Sequence, residues 1–235
     1  MPKTAIDDIV LTRDNVWGIY APLYDKFTPH FQRDLLKEAA QNAQGVFLDA
    51  GMGVGKLLQY LGPDIGAYCG IDSNPAMVAY ASNHKTASFP TAFIWADVQS
   101  IPFTAETFDS AASINVLYSV AEPIKHLREI HRVLRENGKL TLVSLAPGCD
   151  IVYLEKLAEK DIASQLQADE SLRSAWESYI TCNKFLNSLT PDGFKPWQYS
   201  EDEISNLLEG NGFRVSGIGQ NNYFGNLFHV VAEKL

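Results

Sequence analysis

The chain has 235 residues, 46% hydrophobic and 20% charged, with a formal net charge of −9 at pH 7. That length suits one well-buried α/β domain with an insertion and is short for two independent ones. The acidic balance and the dispersed Lys and Arg argue against nucleic-acid partners, which need a basic patch, and no apolar run nears the ~18 residues that span a bilayer, which argues against stable membrane insertion.

The first ten residues hold Asp7 and Asp8 and lack an apolar signal core, so a cytoplasmic protein is expected. Residues 14–43 read as helical. Val16, Trp17, Tyr20, Tyr24 and Phe27 recur at helical spacing behind Asp14 as the cap, and Thr28-Pro29 opens a second helix through His30, Phe31, Leu35 and Leu36.

Val46-Phe47-Leu48 is an apolar run that ends in Asp49 and breaks into alternating glycines at Gly51, Gly53 and Gly55. Helical spacing resumes at Leu57, Leu58 and Leu61, so the stretch reads as a buried parallel strand, a tight turn and a helix N-terminus. Alternating glycines allow positive φ and a close backbone approach to a ligand, and free helix-start amides suit a polar or anionic group. A dinucleotide fingerprint fails, because its third glycine would fall at Lys56 or Leu58. A phosphate-cradling loop fails too, with Ala50 at its first glycine and Leu57 at its hydroxyl position. Asp49 would repel a pyrophosphate and welcome an ammonium or a sulfonium. The pattern Asp49-x-Gly51-x-Gly53-x-Gly55 resembles the first motif of the class I S-adenosylmethionine-dependent methyltransferases.

Ala67–Asp72 is a second strand ending in an acid, where an open α/β site places its ribose-binding carboxylate. Cys69 lies in it as a small core residue, and Cys69, Cys149 and Cys182 are too far apart for a disulfide framework or a cysteine metal cluster. Ser73-Asn74-Pro75 caps a helix, and Ala92–Ala96 is a third strand ending in Asp97-Val98. Ser110–Leu117 is the fourth strand, with Asn115, Tyr118 and Ser119 at its C-terminal end, where such sheets keep their chemistry. A helix from Pro123 is expected to end at the turn Asn137-Gly138, with His126 and His131 as surface residues, before a strand from Leu140 to Leu145. Residues 147–200 then exceed a simple connection. They carry helical stretches at Val152–Ala163 and Leu172–Leu186 and the aromatics Tyr153, Trp176, Tyr179, Phe185, Phe194, Trp197 and Tyr199. A helix capped at Ser200 and strands at Phe213–Ile218 and Leu227–Ala232 close the chain.

Three further segments are similar to small-molecule methyltransferases of the ubiquinone/menaquinone-biosynthesis type: Tyr20-Ala21-Pro22-Leu23-Tyr24-Asp25, the run from Asp97 through Ile101-Pro102-Phe103 to Phe108-Asp109, and Glu129-Ile130-His131-Arg132-Val133-Leu134. The resemblance covers about residues 14–146 and 200–235. It implies a doubly wound, seven-stranded, mostly parallel α/β sheet with an antiparallel last strand, formed as a single domain. Residues 14–43 would be a helical cover; residues 147–200, which the resemblance leaves unassigned, read from their length and aromatics as a helical lid forming the substrate pocket. It also implies S-adenosylmethionine as cofactor and S-adenosylhomocysteine as product. The methionine end would lie at Asp49, Gly51, Gly53 and Gly55, the ribose on Asp72, and the adenine beside Ser73, Asp97 and Val98. Asn115 and Tyr20 complete the expected cofactor set. Tyr20, Tyr24, His30 and Tyr118 are candidates for the reacting end, without assigned roles; no metal site is expected. The expected partner is a small-molecule acceptor methylated on O, N or C, and the chain is expected to be a monomer or homodimer. Two alternatives stand beside this: a non-catalytic S-adenosylmethionine-binding module, and a phospholipid N-methyltransferase, which the acidic stretch Ala5–Leu11 disfavours.

Overall fold

Strands β1 (Gly45–Ala50), β2 (Ile65–Asp72), β3 (Thr91–Trp95), β4 (Phe108–Ile114), β5 (Leu134–Leu145), β6 (Phe213–Ile218) and β7 (Leu227–Lys234) form one sheet in the computed structural model. It describes residues 9–189, 196–219 and 223–235; Phe194 and the acids Asp7 and Asp8 lie outside them. The order is β3-β2-β1-β4-β5-β7-β6. Pairing is parallel from β3 to β5, and β7 runs antiparallel to both β5 and β6. The expected doubly wound sheet with its antiparallel last strand is what forms. Strand order reverses between β1 and β4, so the crevice outside their C-terminal ends is the place for a ligand.

Period-two alternation assigns the two faces of the sheet. Leu48, Ala50, Cys69, Ile71, Ala111, Leu140, Leu142, Phe228 and Val230 pack in one core with Leu127, Ile130 and Val133 of helix α4 (Pro123–Val133) and with Ile204 and Leu208 of helix α7 (Glu201–Glu209). Phe47, Tyr68 and Ala112 face the other way, against Leu36, Ala39 and Ala40 of helix α2 (His30–Ala40) and Leu57 and Leu58 of a short 3-10 helix, Lys56–Tyr60. Helix α3 (Pro75–His84) is capped as expected, the Asn74 side chain accepting from the Ala76 amide at 3.0 Å ahead of Pro75.

The chain divides into two compact units. Asp34–Cys149 with Pro196–Leu235 holds the sheet, and the second comprises Met1–Arg33 with Asp150–Lys195. In the second unit, helix α1 (Val16–Lys26) joins α5 (Ile151–Ala168) and α6 (Glu170–Ser188), both longer than the expected stretches. Asp150 and Asp169 cap these two helices through their side chains. Phe27, Ile162, Leu166 and Trp176 make its core. Among the described residues no helix is long and apolar enough to cross a membrane.

Four local expectations need correction. Asn15, not Asp14, is the N-cap of α1, and it exchanges hydrogen bonds with Thr12. The segment after the glycines is the 3-10 helix, not an α-helix, because Leu61 turns extended ahead of Gly62-Pro63. Strand β4 stops at Ile114, where Asn115 takes φ 58° and breaks the pleat. Helix α4 ends at Val133, and Asn137-Gly138 instead sits in β5, where the pairing with β4 shifts register.

Helix α7 begins with a full capping box, Ser200 and Glu203 each bonding the other's backbone amide. Ser200→Ala should lower stability by about 1 kcal/mol in urea unfolding, while Ser200→Asp should keep most of it.

Candidate functional site

The glycine turn has left-handed φ at three alternate positions: 82° at Gly51, 55° at Gly53 and 73° at Gly55. Only glycine adopts such a series without strain. A Cβ at Gly51 would also run into the Val116 side chain. The turn is tied to the end of β2 by its amides. Gly51 and Met52 donate to the Ile71 carbonyl at 2.8 and 3.0 Å. Gly53 donates to Asp72 Oδ2 at 2.8 Å, and Asn74 donates to Asp72 Oδ1 at the same distance. Burial raises the Asp72 pKa, opposed by these two amides.

Asp49 lies beneath the turn, 3% exposed. Tyr68 on the adjacent strand donates its hydroxyl to Asp49 Oδ2 at 2.9 Å. Burial pushes the Asp49 carboxyl up to about 7; the Tyr68 hydrogen bond opposes the rise and the Asp72 charge adds to it. A carboxylate held so near neutrality gains its charge readily when a cation arrives. Tyr68 reaches it across Gly70, where any Cβ would strike Met52 Sδ and the Tyr68 hydroxyl. Sequence reasoning missed Tyr68, although its alternation places it on the face of Asp49.

Asp97-Val98 follows β3 in a loop held down by α4. Asp97 Oδ1 accepts from the Gln99 amide at 2.8 Å, leaving the loop in a tight turn. Glu129 accepts from the Ile101 amide at 2.8 Å, and Arg132 donates to the carbonyls of Phe103 and Ile101 at 2.7 and 2.9 Å. His126 is fully buried, with Nδ1 3.2 Å from the Val98 carbonyl and Nε2 2.9 Å from Ser113 Oγ. The expectation of a surface residue is therefore wrong for His126, which sits on the apolar stripe of Pro123, Leu127 and Ile130. His131 is half-buried and packs edge-on against Phe213, ring centroids 5.2 Å apart.

Asn115 begins the loop after β4, its amide donating to Val143 at 2.8 Å and its buried Oδ1 without a partner among the described residues. Burial raises the Tyr118 phenol above its ordinary value, and the Cys149 charge adds to the rise, so the neutral phenol is favoured. The Ser73 carbonyl accepts from Trp95 Nε1 at 2.9 Å. Tyr20, Tyr24 and His30 belong to the helical unit. There Tyr20 stacks on Tyr24 and Tyr179 at 5.4 and 5.5 Å, and His30 pairs with Asp161.

Because the Asp49 pKa is raised on folding, its contribution is present below the unfolded value near 4 and is lost as pH rises through about 7. Asp49→Asn keeps an acceptor for Tyr68 and removes that loss. Its melting temperature should exceed the parent's at pH 8 and approach it at pH 5.

The residues fit a cationic amino-acid ligand: a buried acid near its pKa, an unpartnered buried oxygen at Asn115, and a turn only glycine can make. A family model described as a methyltransferase domain matches residues 48–142. The uncharacterized methyltransferase YodH of Bacillus subtilis is 30% identical over 119 residues, 49% of this chain and 50% of that protein. The ubiquinone/menaquinone biosynthesis C-methyltransferase UbiE of Citrifermentans bemidjiense is 27% identical over 145 residues, 56% of this chain and 62% of that one. The chain spans about half the length of the curated relatives it matches. The solved structure of an S-adenosylmethionine-dependent methyltransferase from Aquifex aeolicus superposes with TM-score 0.58 and 20% identity over 96% of this chain and all of that one, which shows the fold. Sheet order, glycine turn and family match agree: residues 48–142 match a methyltransferase domain, set in the fold that S-adenosylmethionine-dependent methyltransferases share.

Proposed function

We propose that this chain transfers a methyl group from S-adenosylmethionine to an O, N or C atom of a small-molecule acceptor by in-line displacement. The observation that carries the reading is the convergence of the Gly53 and Asn74 amides on Asp72 above the buried Asp49, whose pKa burial raises to about 7. When bound, S-adenosylmethionine supplies a methyl group on a sulfonium whose departure leaves a neutral thioether. The protein's task is then mainly positioning, which by itself supplies large accelerations. In this reading Asp49 compensates the cationic amino-acid end and Asn115 Oδ1 accepts from its ammonium. Asp72, with two lone-pair sites still open on its oxygens, accepts from the ribose hydroxyls. Asp97 and the Val98 amide take the adenine edge. A dispersed, net acidic charge supports a small acceptor over an anionic polymer.

Calorimetry with S-adenosylhomocysteine tests the cofactor reading. Asp72→Ala should weaken binding by about 1–3 kcal/mol, the cost of unmet buried hydrogen bonds, and undiminished binding would remove Asp72 from the site. A panel of small acceptors incubated with isotopically labelled S-adenosylmethionine should show label on a small molecule by mass spectrometry. Label found solely on protein or nucleic acid would sink the choice of acceptor class.

A further inference from the structure

Helix α4 presents three polar side chains to the loop after β3. His126, Glu129 and Arg132 recur at a spacing of three, which puts them along one side of the helix. Each meets a different part of the loop: the Val98 carbonyl, the Ile101 amide, and the Ile101 and Phe103 carbonyls. Glu129 and Arg132 also bond each other at 2.7 and 2.8 Å and lie toward the surface. His126 differs from them. It is 0% exposed, and its second nitrogen engages Ser113, itself fully buried on β4.

The tautomer follows from the partners. A carbonyl only accepts, so the Nδ1 facing Val98 carries the proton. Nε2 is then the acceptor, and the Ser113 hydroxyl donates to it. Burial depresses the His126 pKa to about 4, so the ring stays neutral and the arrangement holds across the working pH range. The network thus fixes the peptide unit after Val98 from beneath, through a strand that also leads to Asn115. Among the described residues the Val98 amide meets no backbone or side-chain acceptor. Its N–H is therefore available to a ligand, and its direction depends on what holds the carbonyl of the same residue.

We infer that His126 is a positioning residue for the base of the bound nucleoside: locked by Ser113, it holds the Val98 carbonyl and so aims the Val98 amide and the adjacent Asp97 carboxylate at the adenine edge. This rests on the cofactor reading above and adds a residue to it. His126 acts through Val98 and touches neither the cofactor nor the reacting atoms.

The experiment compares two ligands that differ only at that edge. S-adenosylhomocysteine offers a 6-amino donor and an N1 acceptor; S-inosylhomocysteine offers a 6-oxo acceptor and an N1 donor, reversing both. Wild type, His126→Phe, His126→Asn and Ser113→Ala are titrated with each ligand by calorimetry, with thermal melting as the folding check. The wild-type chain should prefer the adenosyl ligand by about tenfold or more, the usual effect of mispaired buried hydrogen bonds. His126→Phe keeps a ring but loses the donor. It should bind S-adenosylhomocysteine about tenfold more weakly while the inosyl ligand changes by about twofold or less, so the preference collapses. His126→Asn places an amide N–H near the former Nδ1 and should restore most of the preference. Ser113→Ala, which frees the ring without removing it, should fall between. In turnover, His126→Phe should raise the KM for S-adenosylmethionine with kcat unchanged. Equal weakening of both ligands in His126→Phe would mean that the ring only fills the core, and the inference would fall. Should that variant fail to melt cooperatively, equal weakening in the Asn and Ser113 variants would overturn it in the same way. A wild-type chain that binds both ligands equally well would overturn the inference alone. One that binds neither would overturn the cofactor reading itself.

Discussion

Two backbone amides from different segments, those of Gly53 and Asn74, meet on the one carboxylate of Asp72. That convergence ties the turn after β1 to the end of β2, which carries the Asn74 cap of α3 directly behind it. A carboxylate bonded by backbone amides on both oxygens is held in one orientation, and each oxygen retains a lone-pair direction for a ligand. The glycines matter for the same reason. Three left-handed residues in alternation bring the Gly53 amide down to Asp72, and the Gly51 and Met52 amides to the Ile71 carbonyl. Any side chain at Gly51 would push the turn off Val116 and break this registration.

Beneath the turn lies a group whose burial is unfavourable to the fold. Asp49 is buried and accepts from the Tyr68 hydroxyl, and burial raises its pKa to about 7. Burying a lone carboxylate is unfavourable unless it is paired. A cationic ligand removes that cost when it binds, so the unfavourable state of the free protein becomes affinity for the ligand. Residues that weaken the unliganded fold in favour of binding are common at functional sites. Gly70 is part of this arrangement, since its missing side chain makes the room through which Tyr68 reaches Asp49.

Helix α4 shows how a surface-looking sequence can be a structural clamp. Glu129 and Arg132 belong to a segment that reads as a family signature, and their geometry supplies its physical content: they satisfy the backbone of residues 101–103, which form no ladder of their own. His126 extends the clamp to Val98. Its place in the apolar stripe with Pro123, Leu127 and Ile130 was visible in the periodicity, and a polar residue in that stripe is a signal of a buried network. For His126, position on the helix decides burial and the polarity of the side chain does not.

Much of the fold was legible in the chain because its causes are local. Apolar runs of strand length, the alternating glycines after Asp49, the acid closing β2, and the Asn74-Pro75 and Ser200 caps each act within a few residues of themselves. Their spacing is enough to place the strands along the chain and to locate the glycine turn, while the sheet they build was implied by the resemblance. Other outcomes needed distant partners. Whether the segment after Gly55 became an α-helix or a 3-10 helix depended on Gly62-Pro63 cutting it short. The groups that His126 bonds, Ser113 and Val98, are separated from it by 13 and 28 residues. The junction of α1 with α5 and α6 in one unit joins segments more than a hundred residues apart. The ionisation of Asp49 depended on Tyr68 across the sheet and on the water that the fold excludes. Sequence determined which groups could bond. Tertiary structure decided which did, because burial and hydrogen-bond direction exist only once the strands are side by side.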